Sequence, residues 1–456
     1  MEEKSIVRKL KLPIFTCAKK LITEMKMKLI NILLLLCCTN VVFAQKPLSL
    51  SKAITTALEQ NYDIVVVKNK QEQAEINNNW GTAGRWPSLS MNLESQNSKN
   101  YNDNDDFNSR VLSGGVTMNW TLFDGFSVNI SKARLAELEN LSKGNTTVLI
   151  ENTIQSVILA YNQVLLEKEK LSITKEVMEL SNDRYERTKV AKELGSLVTF
   201  DVLQAQNAFL SDKANYLLQQ TAYKNALRDL KFVMGEQPGS AYEITDSFLP
   251  TDDTYELTDL KAKMTSNNQS LKNQYMNLSL LQKDVALMKS EYLPRLSLSA
   301  GGSLRDSKTD YQTQPTINSD SRLLFGNLTL SYSLFNGGKR KRAVQLAKLE
   351  EEVGKVNIDK LTHSLDNQLS NLYEFYVTRK ELLNVATENL TAAKLNLQIA
   401  EEKFKNGAIN SFNFRDVQLI YMNAAQQKLQ AIYNLVDSQT ALLRITGGII
   451  QEYQQN

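Results

Sequence analysis

The 456-residue sequence has only three cysteines, one histidine and seven prolines. The cysteines, Cys17, Cys37 and Cys38, all lie in the first 44 residues. Beyond them the chain has no thiol for a disulfide or a thiolate metal site. The single histidine, His363, falls inside an expected helix and reads as an exposed position. These absences exclude most nucleophilic triads and soft-metal centres. No Gly-x-x-x-x-Gly-Lys phosphate loop is present either, so a transport step would draw its energy from a partner. We expect no enzyme activity, no metal and no cofactor. A charge excess is also missing once the chain is divided. Of 53 Lys and Arg and 50 Asp and Glu, the first 44 residues hold 8 and 3, so the remainder carries 45 and 47. A nucleic-acid surface has no support in that balance.

The one apolar run, Leu29 to Leu36 extended through Cys37 and Cys38, is too short to span a bilayer as a helix. It follows Lys26 and Lys28 and leads to Val42-Phe43-Ala44, the pattern of a secretion signal cut before Gln45. Translation starting at Met25 or Met27 would retain that signal. The alternatives are an uncleaved anchor and a lipid on Cys38.

What the sequence has in abundance is helical period. Ile150, Val157, Val164, Leu171, Met178 and Tyr185 recur every seven residues, then Val202, Phe209, Tyr216, Tyr223 and Leu230 after a turn at Gly195. Such spacing predicts a left-handed coiled-coil hairpin. Its first arm, residues 127–194, would be roughly 100 Å long. The hairpin recurs 212 residues later, where Leu369, Tyr376, Leu383, Leu390 and Leu397 continue the seam and Gly407, Phe412 and Gly447 match Gly195, Phe200 and Gly235. The chain is a tandem duplication. We expect a leader at 1–44, repeats at 45–235 and 257–448, a surface linker at 236–256 and a tail at 449–456. Gly144 and Gly354 are expected to break or bend the two long helices.

Each repeat should open with one helix, Ser49 to Gly84 in the first, that ends at Trp86-Pro87 or Leu293-Pro294. Past each proline the period changes to two. Leu89, Met91 and Leu93 alternate with polar residues, as do Val116, Met118, Trp120 and Leu122; Leu296, Leu298 and Ala300; and Leu328, Leu330, Tyr332 and Leu334. These are strands with one apolar face. Polar loops are expected between them at 97–109 and 306–321. Asp124 or Asn336, beside a glycine, is expected to cap the following helix.

Four such strands cannot close a membrane barrel, whose smallest examples need about eight. Two chains would give eight and three would give twelve. Trp86, Trp120, Phe123, Tyr332 and Phe335 gather at strand ends, where aromatic girdles meet the membrane surface. Half-buried strands of a soluble sheet are the alternative reading of the same alternation.

Taken in order, these features resemble the TolC family of outer-membrane efflux proteins over essentially the whole chain past the leader. The resemblance is carried by the duplicated order of elements, the Pro-Ser-Leu-Ser and Pro-Arg-Leu-Ser strand starts, the Leu-Phe-Asp-Gly and Leu-Phe-Asn-Gly-Gly phrases, and the turns at Gly195 and Gly407. It implies a mainly α chain with a membrane β part. In a homotrimer, twelve strands would form a β-barrel in the outer membrane of a Gram-negative cell, and twelve helices an α-barrel tunnel through the periplasm. The implied partners are outer-membrane lipid, a periplasmic adaptor protein, and an inner-membrane pump of the resistance-nodulation-division or ATP-binding-cassette type. The turn tips Gly195, Ser196, Leu197, Gly407, Ala408 and Ile409 are then the adaptor-docking surface. The family's two gate aspartates fall on Asn413 and Asp416, with Arg415 beside the latter and Asp201 at the first repeat's equivalent of Asn413. The other reading of Asp201 and Asp416 is of early-helix acids favoured by the helix dipole. Export of small molecules such as drugs is the expected function. A type I protein-secretion duct and a pore-free periplasmic coiled-coil scaffold are the alternatives.

Overall fold

The computed structural model describes residues 46–101, 106–237, 242–250 and 253–454. The leader with its three cysteines, part of the expected linker and the last two residues lie outside that range.

The chain divides into two units. In the smaller, strand β1 (Lys46–Leu48) pairs in parallel with β4 (Tyr242–Ile244). Leu48 and Ile244 are buried, and the ladder extends to Thr245, whose N–H donates to the Leu48 carbonyl at 3.3 Å. The stretch expected as a surface linker contains this strand.

The larger unit holds the two repeats. Each opens with two helices where one was expected: α1 (Leu50–Gln60) and α2 (Tyr62–Asn77) in the first, α5 (Leu257–Asn267) and α6 (Gln269–Ser290) in the second. The break falls on Asn61 and on Asn268. Asn61 Oδ1 accepts from the N–H groups of Asp63 and Ile64 at 2.9 and 3.2 Å, and Asn268 Oδ1 accepts from Leu271 at 2.9 Å. A short polar side chain that captures these N–H groups ends one helix and caps the next. The helical period runs on through both positions, which is why the pattern conceals the break.

The four long strands form one antiparallel sheet in the order β2 (Ser88–Asn100), β3 (Phe107–Asp124), β5 (Arg295–Tyr311), β6 (Ile317–Ser331). The repeats meet at β3 and β5, with Met118 opposite Ala300. Most of the expected loops at 97–109 and 306–321 is strand. The ladder pairs Asn97 with Arg110 and Asp306 with Asp320, and β5 and β6 leave only 312–316 between them. Backbone pairing does not depend on an apolar face, so polar composition marks where the strands leave an apolar layer and not where they stop. The last strand is also shorter than its alternation suggests. It ends at Ser331, leaving Tyr332 and Leu334 beyond it. Both edges, β2 and β6, lack a further strand partner among the described residues.

From the sheet the chain enters α3 (Ser127–Glu193) and returns by α4 (Thr199–Met234), and in the second repeat α7 (Lys339–Lys405) returns by α8 (Ser411–Ile445). Asp124 Oδ1 accepts from Val128 N–H at 3.3 Å and Asn336 Oδ1 from Arg340 N–H at 3.5 Å, as expected of capping side chains. The arms α3 and α7, 67 residues each, run unbroken through Gly144 and Gly354. Those glycines instead admit α6 on either side. A Cβ at 144 would lie 2.0 Å from Asn273 Oδ1, and one at 354 would lie 2.7 Å from Leu281 Cδ1. The seam residues Val157, Val164, Leu230, Leu369, Tyr376 and Leu397 are buried.

The helix breaks dock on the ends of the return helices. Asn61 Nδ2 donates to the Val233 carbonyl and Asn268 Nδ2 to the Ile445 carbonyl, each at 2.8 Å. Beside them Gly235 and Gly447 have φ of 77° and 71°, and an added Cβ would fall 2.3 Å from Gln60 O or 2.7 Å from Asn267 O. A short helix, α9 (Ile449–Gln454), follows with Ile449 buried. Among the described residues no helix is long and apolar enough to cross a membrane.

Candidate functional site

The site is built at the two helical turns. Gly195 and Gly407 have φ of 76° and 70°, the left-handed conformation that ends a helix at low cost for glycine. The N–H of Ser196 bonds back to Ala191 O at 2.9 Å, and that of Ala408 to Lys403 O at 2.8 Å. Ser196 Oγ also donates to Ala191 O at 2.8 Å. Phe200 and Phe412 follow the turns. Both are more than half exposed in the single chain, so they do not fix the turns by packing.

Between the turns runs a groove of about 510 Å³ lined by Leu197, Asp201, Phe404, Ile409 and Phe412, with Gly407 and Ala408 at its side. The structure thus brings Asp201 to the tip residues of the other repeat. Its carboxylate accepts from Val198 N–H at 3.2 Å and serves as an early-helix cap as well as a groove wall. Asn413 and Asp416 are exposed and do not line this groove. Asn413 presents its backbone N–H to the cap residue Asn410 at 2.9 Å.

Arg415 turns away from Asp416. Successive residues on a helix point about 100° apart, so sequence neighbours face different surroundings. Arg415 Nη1 and Nη2 donate to Asp212 Oδ2 and Oδ1 at 2.5 and 2.8 Å, a bidentate pair on a carboxylate that is almost wholly buried. Ser181 also donates to Asp212, and Gln418 donates to Ser181 Oγ at 3.0 Å and to Val177 O at 2.9 Å. One turn nearer the tip, the buried Arg184 donates to Ser411 O at 3.2 Å. Burial, then the charge of Arg415, pull the Arg184 pKa down to about 10, with Asp212 opposing them. Above the network Tyr421 donates to Glu176 Oε2 at 3.0 Å. Together these contacts clasp α8 to α3 and α4 just above the turns.

Sequence reasoning missed Ser181, Arg184, Asp212 and Gln418. A signal was present in the duplication. The offset of 212 sets Ser181 and Asp212 against Ala393 and Ala424, and Arg415 against Leu203. Polar residues that replace apolar ones at buried repeat positions point to a local contact.

The outer membrane efflux protein family model matches residues 53–236 and 262–448. The chain belongs to that family. Among relatives of this outer membrane efflux protein, the Toxin and drug export protein A of Aggregatibacter actinomycetemcomitans is 23% identical over 414 residues, spanning 88% of this chain and 87% of that one. Outer membrane protein TolC of Escherichia coli K12 is 21% identical over 378 residues, spanning 80% and 75%. A solved structure of CusC shares the fold with a TM-score of 0.71 at 15% identity, covering 88% of this chain and 92% of that one.

In this outer membrane efflux protein the expected girdle residues gather where the sheet joins the helices. Trp86, Tyr332 and Phe335 are exposed. Trp120 donates its Nε1–H to Arg85 O at 2.9 Å, and the Phe123 ring meets Phe126 edge-on at 5.2 Å. At the far end of the sheet Phe107 and Tyr311, 5.3 Å apart, form an aromatic pair that the alternation did not reveal.

Proposed function

We propose that three copies of this chain form an outer-membrane exit duct that passes small molecules such as drugs, driven by an inner-membrane pump of the resistance-nodulation-division or ATP-binding-cassette type through a periplasmic adaptor. The observation that carries it is the open sheet. Its edges β2 and β6 have no further strand partner among the described residues, and Leu89, Met91, Leu93, Leu324, Leu328 and Leu330 stand exposed on it. Open edges and an apolar face are stable in lipid only when copies close the sheet. Three copies give twelve strands, the number the family resemblance implies. A row of exposed apolar residues along α7, Leu346, Leu349, Val353 and Val356, supplies a helical seam for a neighbouring copy.

The tips Gly195, Ser196, Leu197, Gly407, Ala408 and Ile409, with the groove between them, are the adaptor-docking surface in this reading. Asp201 and Asp416 carry the negative charge of the mouth. Arg415 holds Asp212 and leaves the Asp416 charge unanswered. One relative is named a toxin and drug export protein, which supports export and includes small-molecule cargo.

Cross-linking tests the duct. Transferring the β3–β5 register by the repeat offsets places Leu330 opposite Leu93 of a neighbouring copy. Oxidation of Leu93→Cys/Leu330→Cys protein in outer membranes should give a covalent trimer that resists heat and detergent. Recovery of the protein as an uncrosslinked monomer in periplasmic extract would replace the duct with a soluble scaffold.

A further inference from the structure

The junction between β6 and α7 has a charge pattern that internal contacts leave unanswered. The first turn of α7 is Lys339-Arg340-Lys341-Arg342, with no acid in it. Helix dipoles favour anions at this end and disfavour cations. Four cations here run against the local preference, a mismatch that usually marks function. Arg340 is accounted for within the chain. It donates to Glu291 O at 2.9 Å and to Ser333 O, and lies 5.2 Å over the Tyr292 ring. It thereby pins the segment that precedes it. Arg342 reaches only Gly337 O, at 3.0 Å, and Lys339, Lys341 and Arg342 are exposed with no carboxylate paired to them among the described residues.

Beside these cations stand Leu334 and Phe335, 87% and 85% exposed, and Tyr332. The first repeat keeps the apolar part of this pattern as Trp120, Leu122 and Phe123 but has Ser127, Asn129 and Ile130 where the second has Lys339, Lys341 and Arg342. Two nearby cations of the first repeat have partners within it: Arg85 lies 4.6 Å over Trp80, and Lys132 donates to Asn78 Oδ1 at 2.5 Å. Apolar prongs beside unpaired cations, where a membrane sheet meets its helices, fit the boundary between acyl chains and phosphate headgroups.

We propose that Lys339 and Lys341, with Tyr332, Leu334 and Phe335, form a surface on the second repeat alone that holds anionic phospholipid in the leaflet facing the helices. The inference rests on the outer-membrane reading above. Each cation near an anionic surface contributes about a fivefold preference, so the pair of lysines should give tenfold or more.

Native mass spectrometry of the detergent-solubilised protein, mixed with phosphatidylglycerol or phosphatidylcholine of equal chain length, reads the preference directly. Phosphatidylglycerol should be retained about tenfold better. Lys339→Gln/Lys341→Gln should lose most of that margin, and Lys339→Arg/Lys341→Arg should keep it. Equal retention of the two lipids, or a margin unchanged in the glutamine variant, overturns the inference and leaves the duct standing. Failure of the unaltered protein to insert into liposomes of either lipid overturns the outer-membrane reading and this inference with it.

Discussion

At matching heights the two hairpins are built from opposite materials. Ser181 and Asp212 of the first face each other across α3 and α4, and Arg415 of α8 closes on them. In the second, Ala393 and Ala424 are buried at the equivalent places, and the residue equivalent to Arg415, Leu203, is exposed. Other features are held in duplicate: Asn61 with Asn268, Gly235 with Gly447, and the glycine turns. Repeats therefore keep what the backbone needs and diverge where their neighbours differ. Within the chain α3 meets α8, whereas α7 carries exposed Leu346, Leu349, Val353 and Val356. A polar clasp in one place and small buried apolar residues in the other give the two hairpins different means of holding their helices together.

The largest effect should come from breaking the clasp. Asp212→Ala leaves the buried Arg184 and the half-buried Arg415 without their counter-charge and should cost about 3–5 kcal/mol in urea unfolding. Ser181→Ala/Asp212→Ala/Arg415→Leu copies the other repeat's pattern and should recover most of that loss. A triple variant as unstable as the single one would show that the two seams are not interchangeable.

The duplicated helix breaks sharpen the comparison from the other side. Asn61→Ala and Asn268→Ala each remove a cap and leave the Val233 or Ile445 carbonyl unpaired. Each should cost about 1–3 kcal/mol, by similar amounts, measured as loss of thermal stability.

Glu151 and His363 occupy one repeat position, the first buried and the second exposed. Burial raises the Glu151 pKa from 4.5 to about 7, against the pull of Arg444 and Lys272. The folded state then binds the proton more tightly than the unfolded one, so this contribution is complete below pH 4.5 and is lost as pH rises to 7. Glu151→Gln should remove about 1–2 kcal/mol of that pH-dependent loss. Urea titrations of the unaltered and variant proteins at pH 5 and pH 8 measure it.

The smallest expected change is at the mouth. Asp201→Ala/Asp416→Ala should raise single-channel conductance about twofold in planar bilayers and weaken block by multivalent cations. Conductance and block matching the unaltered protein would show that these acids only serve their helices.

Much of this was legible beforehand, because regular elements write themselves locally. The heptads gave the seams, the change to a period of two after Pro87 and Pro294 gave the strands, and the spacing of glycines gave the turns. Strand ends were harder to read, since polar residues accept strand geometry wherever a partner backbone is present. Asn61 and Asn268 hid because a capping side chain interrupts a helix without altering its apolar rhythm.

The sequence by itself determined the duplication, the element types and the positions of the turns, all of which follow from periodicity and backbone preference within a few residues. Tertiary structure alone decided that Arg415 serves Asp212, 203 residues earlier in the chain, and not its neighbour Asp416. Ion pairing depends on distance through space and on burial, and neither is written in the spacing of charges along a chain.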